Sequence, residues 1–323
     1  MNDLRKDAVN WLAVGDDAQG QRVDNYLVKI LKGVPKSHIY RILRSGEVRV
    51  NRRKVGPDAR LVTGDELRIP PIRAASPRAK AIPGGTARIE LPPILYEDEA
   101  LMALNKPAGL AVHGGSGIAF GAIERLRQAR PDAGFLELVH RLDRETSGVL
   151  LVAKKRSALT GLHAQLRDGA IDKRYDVLVR GLWRDALRKV DLPLTSYVTS
   201  EGERRVRVDV EGRLARTIFR RTKVWPEADP PQSLLDAELE TGRTHQIRVH
   251  LAHLGFPLAG DDKYGDFAWN KVLARQRLKR MFLHARLVRF AHPTDGREMI
   301  VEAPLAPELA AYVAYLDGAS SDG

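Results

Sequence analysis

Apolar positions in residues 20–72 recur first at helical and then at strand spacing. Leu27, Ile30 and Leu31 form one helical stripe after Asp24. Ile39, Ile42 and Leu43 form a second after Ser37, which reads as an N-cap. Gly46 stops that helix. Residues 47–51 (EVRVN) alternate polar and apolar, and residues 66–69 (ELRI) alternate again after the turn Thr63-Gly64-Asp65. The pattern predicts a small unit of two helices and a sheet. Across 73–93 both periods vanish and Pro, Ala, Gly, Arg and Lys dominate, as expected of a linker.

From 94 to 314 strand-like and helix-like runs are interleaved without strict repetition. Apolar runs at 135–139 and 149–153 flank a polar turn, helices are expected near 122–130 and 159–166, and a strand at 175–179. Thr244 reads as the N-cap of a further helix whose stripe is Ile247, Leu251 and Leu254, ended by Gly255. Mixed order of this kind predicts an α+β fold rather than a doubly wound one.

Charge changes the picture. Among 323 residues, 53 Lys and Arg stand against 41 Asp and Glu, a net +12. Such an excess suits a polyanion, nucleic acid before others. The first unit concentrates it in Lys36, Arg41, Arg44, Arg49, Arg52, Arg53 and Lys54, opposed by Glu47. Arg41 and Arg44 share a helical face, and Arg52, Arg53 and Lys54 are expected in the turn after the strand. A one-signed cluster on a helix and an adjoining turn favours phosphate contact over a merely solvated face. The very basic stretch 271–280 could touch RNA or simply be solvated. With no cysteine there is no disulfide, thiol nucleophile or cysteine zinc site. No secretory apolar core opens the chain and no run of about 18 apolar residues spans a membrane, so the simplest location is the cytoplasm.

The candidate chemistry lies in the turn HRLDRETSG, where Asp143 sits between Arg141 and Arg144. A charged turn between two strands is how folds present a reactive group, so Asp143 is the expected nucleophile. Arg248, one residue from a buried stripe, needs an anion. Asp143 and a surface acid are equally good partners for it on spacing alone. A carboxylate that must stay ionised to attack benefits from a neighbouring guanidinium. His140 could orient the turn by a hydrogen bond, with a general-base role the weaker option. His245, His250 and His253 do not fit a metal motif, and no metal is expected. The loop from Gly114 to Gly117 resembles a phosphate cradle only weakly, since it lacks the lysine and hydroxyl that should follow.

Two resemblances follow from these segments. DNYLVKILKGVPKSHIYRILRSGEVRVNRRKV with TGDELRIP resembles the alpha-L RNA-binding domain first described in ribosomal protein S-four. HRLDRETSG, KRYDVLVRG, GRTHQIRVHL and FLHARL are similar, in order, to the motifs of the RluA family of pseudouridine synthases. That likeness implies a mixed, mainly antiparallel catalytic domain. It implies Asp143 as catalytic aspartate, Tyr175 as the aromatic that stacks on the target base, and Arg248 as the aspartate's partner. Arg141 would fill the place of the flipped base, and Leu283 would lie beneath the tyrosine ring. It also implies a monomer that needs no cofactor and acts on 23S rRNA or a large-subunit precursor. Three routes stay open: attack at C1′, attack at C6, or a glycal. Two other readings compete with this one. A non-catalytic ribosome-assembly factor would use the same basic unit, and a metal-dependent RNA hydrolase is disfavoured by the histidine spacing.

Overall fold

A computed structural model of the chain describes residues 8–31, 34, 36–72, 91–114 and 120–319. The chain divides into two compact units, Met1–Arg88 and Ile89–Gly323. The expected linker lies outside the described residues over 73–90, as do positions 115–117 of the glycine loop and the side chain of Lys36.

The first unit runs β1 (Asn10–Ala13), α1 (Val23–Ile30), α2 (Lys36–Arg44), β2 (Arg49–Val50), β3 (Arg53–Lys54) and β4 (Glu66–Ile69). Its sheet has the order β1-β4-β2-β3 with every pair antiparallel. β1 lies upstream of the expected start at Gly20. Leu27, Ile39, Ile42 and Leu43 are fully buried against Leu61 and Leu67, while Ile30 is half-buried. Buried Asp24 ties the two helices, accepting from the Tyr40 hydroxyl at 3.0 Å and the Arg22 guanidinium at 2.7 Å.

Two local expectations change. α2 begins at Lys36, so Ser37 is inside the helix and not its cap. Asn51 and Arg52 alone form the hairpin turn, both with positive φ (49° and 65°), as a two-residue turn matched to strand twist requires. Arg53 and Lys54 therefore belong to β3 rather than to the turn.

The second unit runs β5 (Ile94–Glu97), β6 (Leu101–Lys106), α3 (Ala122–Ala129), β7 (Glu137–Leu138), β8 (Ser147–Ala153), α4 (Arg156–Arg167), β9 (Asp172–Arg180) and β10 (Leu187–Asp191). It continues with β11 (Leu194–Val198), β12 (Arg204–Val208), β13 (Arg216–Trp225), β14 (Gln232–Leu239), α5 (Gln246–His253), α6 (Phe267–Arg275), β15 (Leu283–Ala291), β16 (Glu298–Glu302) and α7 (Pro307–Ala319). One ten-stranded sheet has the order β10-β13-β14-β9-β15-β8-β6-β5, with β16 on β15 and β7 on β8. Among the described residues only the β8–β15 pair is parallel. The fold is thus α+β with a mainly antiparallel sheet, as the interleaved pattern predicts.

That parallel junction positions the site. His284 pairs with Ser147 and Ala285 with Gly148, so β8 and β15 both begin there. Gly148 has φ +110°, and a Cβ on it would lie 2.2 Å from the Ala285 carbonyl oxygen, so only glycine permits this approach. The adjoining core packs Leu150, Val152, Val177 and Leu283 against Ile247 and Leu251 of α5.

Candidate active site

The turn between β7 and β8 is braced from several sides. The buried ammonium of Lys106 donates to the carbonyls of Pro107, Leu110 and Arg144 at 2.9, 2.8 and 3.0 Å. Burial pulls its pKa down to about 7. The Arg144 carbonyl also accepts from Gly109 N–H at 2.9 Å, and the Thr146 N–H closes onto the Asp143 carbonyl at 3.1 Å. His140 Nε2 accepts from the Leu151 N–H at 3.1 Å. Burial, reinforced by the Lys173 charge, lowers its pKa to about 4, so it orients the turn as a neutral ring. After the turn, Arg280 donates to Ser147 Oγ at 2.6 Å, Ser147 to His284 Nδ1 at 2.9 Å, and His284 Nε2 to the Ala303 carbonyl at 3.2 Å. This chain of donors sets the His284 tautomer.

The braced turn presents Asp143 to a cavity of about 780 Å³ lined by His140, Arg141, Lys173, Tyr175, Arg248 and Leu283, among others. Four of the expected residues come together with Asp143: Arg141, Tyr175, Arg248 and Leu283. Arg141 is exposed at the wall, while its neighbour Leu142 packs inward. Tyr175 lies on β9 opposite Ala285, and Leu283 on β15 opposite Val177, so both point into the same core from paired strands. Burial, with the Asp143 charge adding to it, holds the Tyr175 hydroxyl above the ordinary phenol pKa. It is a protonated phenol at neutral pH.

Arg248 settles the question of its partner by having several. Nη1 donates to Asp143 at 3.1 Å, while Nε and Nη2 grip Asp261 in a fork at 2.7 Å each, and Nη2 also reaches Asp262 at 3.3 Å. Asp261 is fully buried and accepts in addition from the Lys263 and Tyr264 N–H groups. Burial alone would raise its pKa; the Arg248 bonds overcome that and hold it low. The guanidinium carbon also stands 5.2 Å from the Tyr264 ring centroid. Tyr264 in turn hydrogen-bonds His245 Nδ1 at 2.9 Å, and His245 Nε2 lies 3.9 Å from Asp143.

The helix that carries Arg248 does not start as expected. His245, in left-handed conformation (φ 53°), is the N-cap, not Thr244. No side chain caps this helix; Gln246 Oε1 instead ties down the preceding loop, accepting from Arg243 N–H at 3.0 Å and the Thr241 hydroxyl at 2.7 Å. His250 is structural: its ring nitrogens meet Thr217 Oγ1 and the Leu192 carbonyl at 3.0 Å each. Among the described residues no three His, Asp or Glu side chains gather to hold a metal ion, and no helix is long and apolar enough to cross a membrane.

In the first unit, Arg41, Arg44, Arg52, Arg53 and Lys54 are exposed. Arg41 meets Glu47 at 3.4 Å, and Arg44 Nε its own helix carbonyl at Tyr40 at 3.3 Å. Asp261, Tyr264, Lys106 and Lys173 were not expected from sequence. An acid after a glycine, as in Gly260-Asp261, reads as any polar turn.

Comparison with known proteins gives a consistent set of matches. A family model described as RNA pseudouridylate synthase matches residues 100–253, and one described as S4 domain matches residues 21–67. The chain is 50% identical over 304 residues to ribosomal large subunit pseudouridine synthase C of Pasteurella multocida (strain Pm70), covering 94% of this chain and 92% of that protein. The Escherichia coli (strain K12) protein of the same name is 50% identical over 302 residues, covering 92% and 93%. Among solved structures, Human RNA Pseudouridylate Synthase Domain Containing 1 covers 75% of this chain and 98% of its own, at 25% identity and TM-score 0.56.

Proposed function

The chain belongs to the RNA pseudouridylate synthase family, and from that premise we propose that it converts uridines of 23S rRNA, or its large-subunit precursor, to pseudouridine with Asp143 as nucleophile. The supporting observation is the ion pair of Asp143 and Arg248 at 3.1 Å, in the cavity that Tyr175 and Leu283 also line. Two named relatives that it matches over nearly their whole length act, by their names, on the large ribosomal subunit. The reaction breaks N1–C1′, turns the uracil, and joins C5 to C1′. C5 loses a proton and N1 gains one, so the balance closes without a redox partner or external group.

Five cavity residues have a task in that sequence, Asp143 and the four gathered around it. The target base must leave its helix, at a cost of about a few kcal/mol. Arg141, exposed on the wall, is suited to occupy the vacated place. Tyr175 offers a ring to hold the loose uracil, and stacking of this kind contributes ~1–3 kcal/mol per base. A hydroxyl held protonated suits that role better than accepting the C5 proton. Leu283 shares its core, so the ring has an apolar backing. The fork from Asp261 fixes Arg248, and Arg248 fixes the Asp143 carboxylate at the floor. Arg41, Arg44, Arg52, Arg53, Lys54 and Lys36 in the first unit are the proposed RNA-gripping set. The protein would act as a cytoplasmic monomer.

The test is tritium release from large-subunit RNA transcribed with [5-³H]uridine. Asp143→Asn is expected to lower kcat by about a thousandfold or more while still binding RNA. Wild-type turnover by that variant would overturn the role of Asp143.

A further inference from the structure

Four cations of the cavity wall take no part in the steps above, Arg167, Lys173, Arg213 and Arg243, and Lys173 is the buried one. Lys173 is 9% exposed, lines the cavity, and sits on β9 two residues before Tyr175 on the same face. Among the described residues it has no hydrogen-bond acceptor and no carboxylate within ion-pair distance. Asp172, its neighbour in sequence, is taken by Arg174 Nε at 2.8 Å. Asp143 is taken by Arg248. The other cations on the wall, Arg141, Arg167, Arg213 and Arg243, are exposed and keep their water. Lys106, buried more completely, has three carbonyls. Among the described cations of the wall, Lys173 alone combines a largely buried side chain with an ammonium that no protein group holds and that faces the cavity.

Confining an ammonium to a largely buried position with only the cavity to face opposes folding, and a methionine of similar length would fill the space without that cost. Burial also draws the Lys173 pKa down, with the Asp172 charge acting the other way. Such a cation is reconcilable with a stable fold if an anion arrives with the ligand. RNA brings one per nucleotide. Two residues of strand span ~6.6–6.8 Å, the scale that separates a base from its own phosphate. With the uracil on the Tyr175 ring, the sugar-phosphate would extend one pleat along β9.

We propose that Lys173 binds the phosphate of the nucleotide that carries the target uracil. The inference rests on reading this cavity as a uridine site. Substrate binding would thus neutralise a charge that destabilises the free protein. A charge-assisted hydrogen bond of this kind is shared by ground and transition states, so its loss acts on binding rather than on turnover.

The experiment compares wild type, Lys173→Met and Lys173→Arg in the full chain on the same rRNA transcript. Lys173→Met should weaken RNA binding and raise KM by about tenfold or more, with kcat within about twofold of wild type. It should also lower the slope of log Kd against log salt by about 0.7–0.9. In the free protein its Tm should equal or exceed the wild-type value, which a merely structural lysine would not give. Lys173→Arg should restore most of the affinity and the slope. A fall in kcat with KM and salt slope unchanged would overturn the proposal and point to the departing uracil instead. A lower Tm with unchanged affinity would also overturn it, in favour of a packing role. Because affinity is measured without turnover, these outcomes are read separately from tritium release, which tests the uridine reading itself.

Discussion

Arg41 and Arg248 are the same residue type under opposite conditions. Arg41 is exposed on α2 of the first unit, meets Glu47 at a loose 3.4 Å, and shares its surface with other cations. Arg248 is 3% exposed and holds Asp261, Asp143 and Asp262 at once. Water and salt screen the first, so it acts additively with its neighbours and at a distance. The second is held by a buried fork to Asp261, where one bond more or less changes how the Asp143 carboxylate is placed. On the proposed reading, one region would grip a polymer by the number of its charges, and the other would do chemistry by the placement of one.

The sharpest way to break this contrast is to remove Arg248. Arg248→Met leaves Asp261 fully buried with only backbone donors, and removing one member of a buried pair costs about 3–5 kcal/mol. It also frees the Asp143 carboxylate from its anchor. Turnover should fall by about a hundredfold or more, together with a clear drop in the denaturation midpoint. Because the two losses share a cause, Arg248→Met combined with Asp261→Leu should recover stability but not turnover. Recovery of both would mean that Arg248 serves the fold alone.

Much of this site is legible in the sequence because its residues stand in ordered local segments. Asp143 lies between two strand-like runs, Tyr175 in an alternating one, and Arg248 beside a helical stripe. Periodicity tells which face a residue occupies, and short motifs tell what it resembles. Neither tells which distant group it meets. Asp261 is 13 residues beyond Arg248, after a helix and a turn, and its role exists only because the chain folds back there. Lys106 reads as an ordinary strand-end lysine, yet it holds the Arg144 carbonyl 38 residues away. Thr244 is the natural cap by residue type, but a left-handed His245 takes the cap position with no side-chain bond to the helix, and Gln246 turns back to hold the preceding loop. In the first unit the helices and the basic cluster are legible, since exposed charge needs no partner. The two-residue turn is not, because Arg52 is an unusual residue for positive φ.

His140 gives a milder probe of the buried side. Its ring is neutral and accepts the Leu151 N–H, with a pKa near 4 in the fold against an ordinary value near 6.5. Between those values the unfolded chain binds a proton that the folded chain does not, so stability falls as pH drops from about 6.5 toward 4. Above 6.5 the contribution is fully present. Between pH 7 and 4.5 wild type should therefore lose about 5–10 °C more in Tm than His140→Gln. Parallel curves for the two proteins would mean that the ring is protonated in the fold and that the turn is oriented by other means.

The exposed side should yield the smallest change in the fold and a graded one in binding. Arg41, Arg44 and Arg53 to Gln together remove three cations with no buried partner, so stability should stay within about ±0.5 kcal/mol of wild type. RNA affinity should fall, and the salt slope should drop by about 0.7–0.9 for each phosphate that is no longer neutralised. At saturating RNA, kcat should match wild type, since the cations act before the base is flipped. Arg41→Gln alone should do least, because Glu47 already offsets part of its charge. If the triple variant lost kcat at saturation with its affinity unchanged, the basic face would be presenting the uridine to the cavity rather than gathering RNA to the protein. The two regions would then differ in burial but not in task.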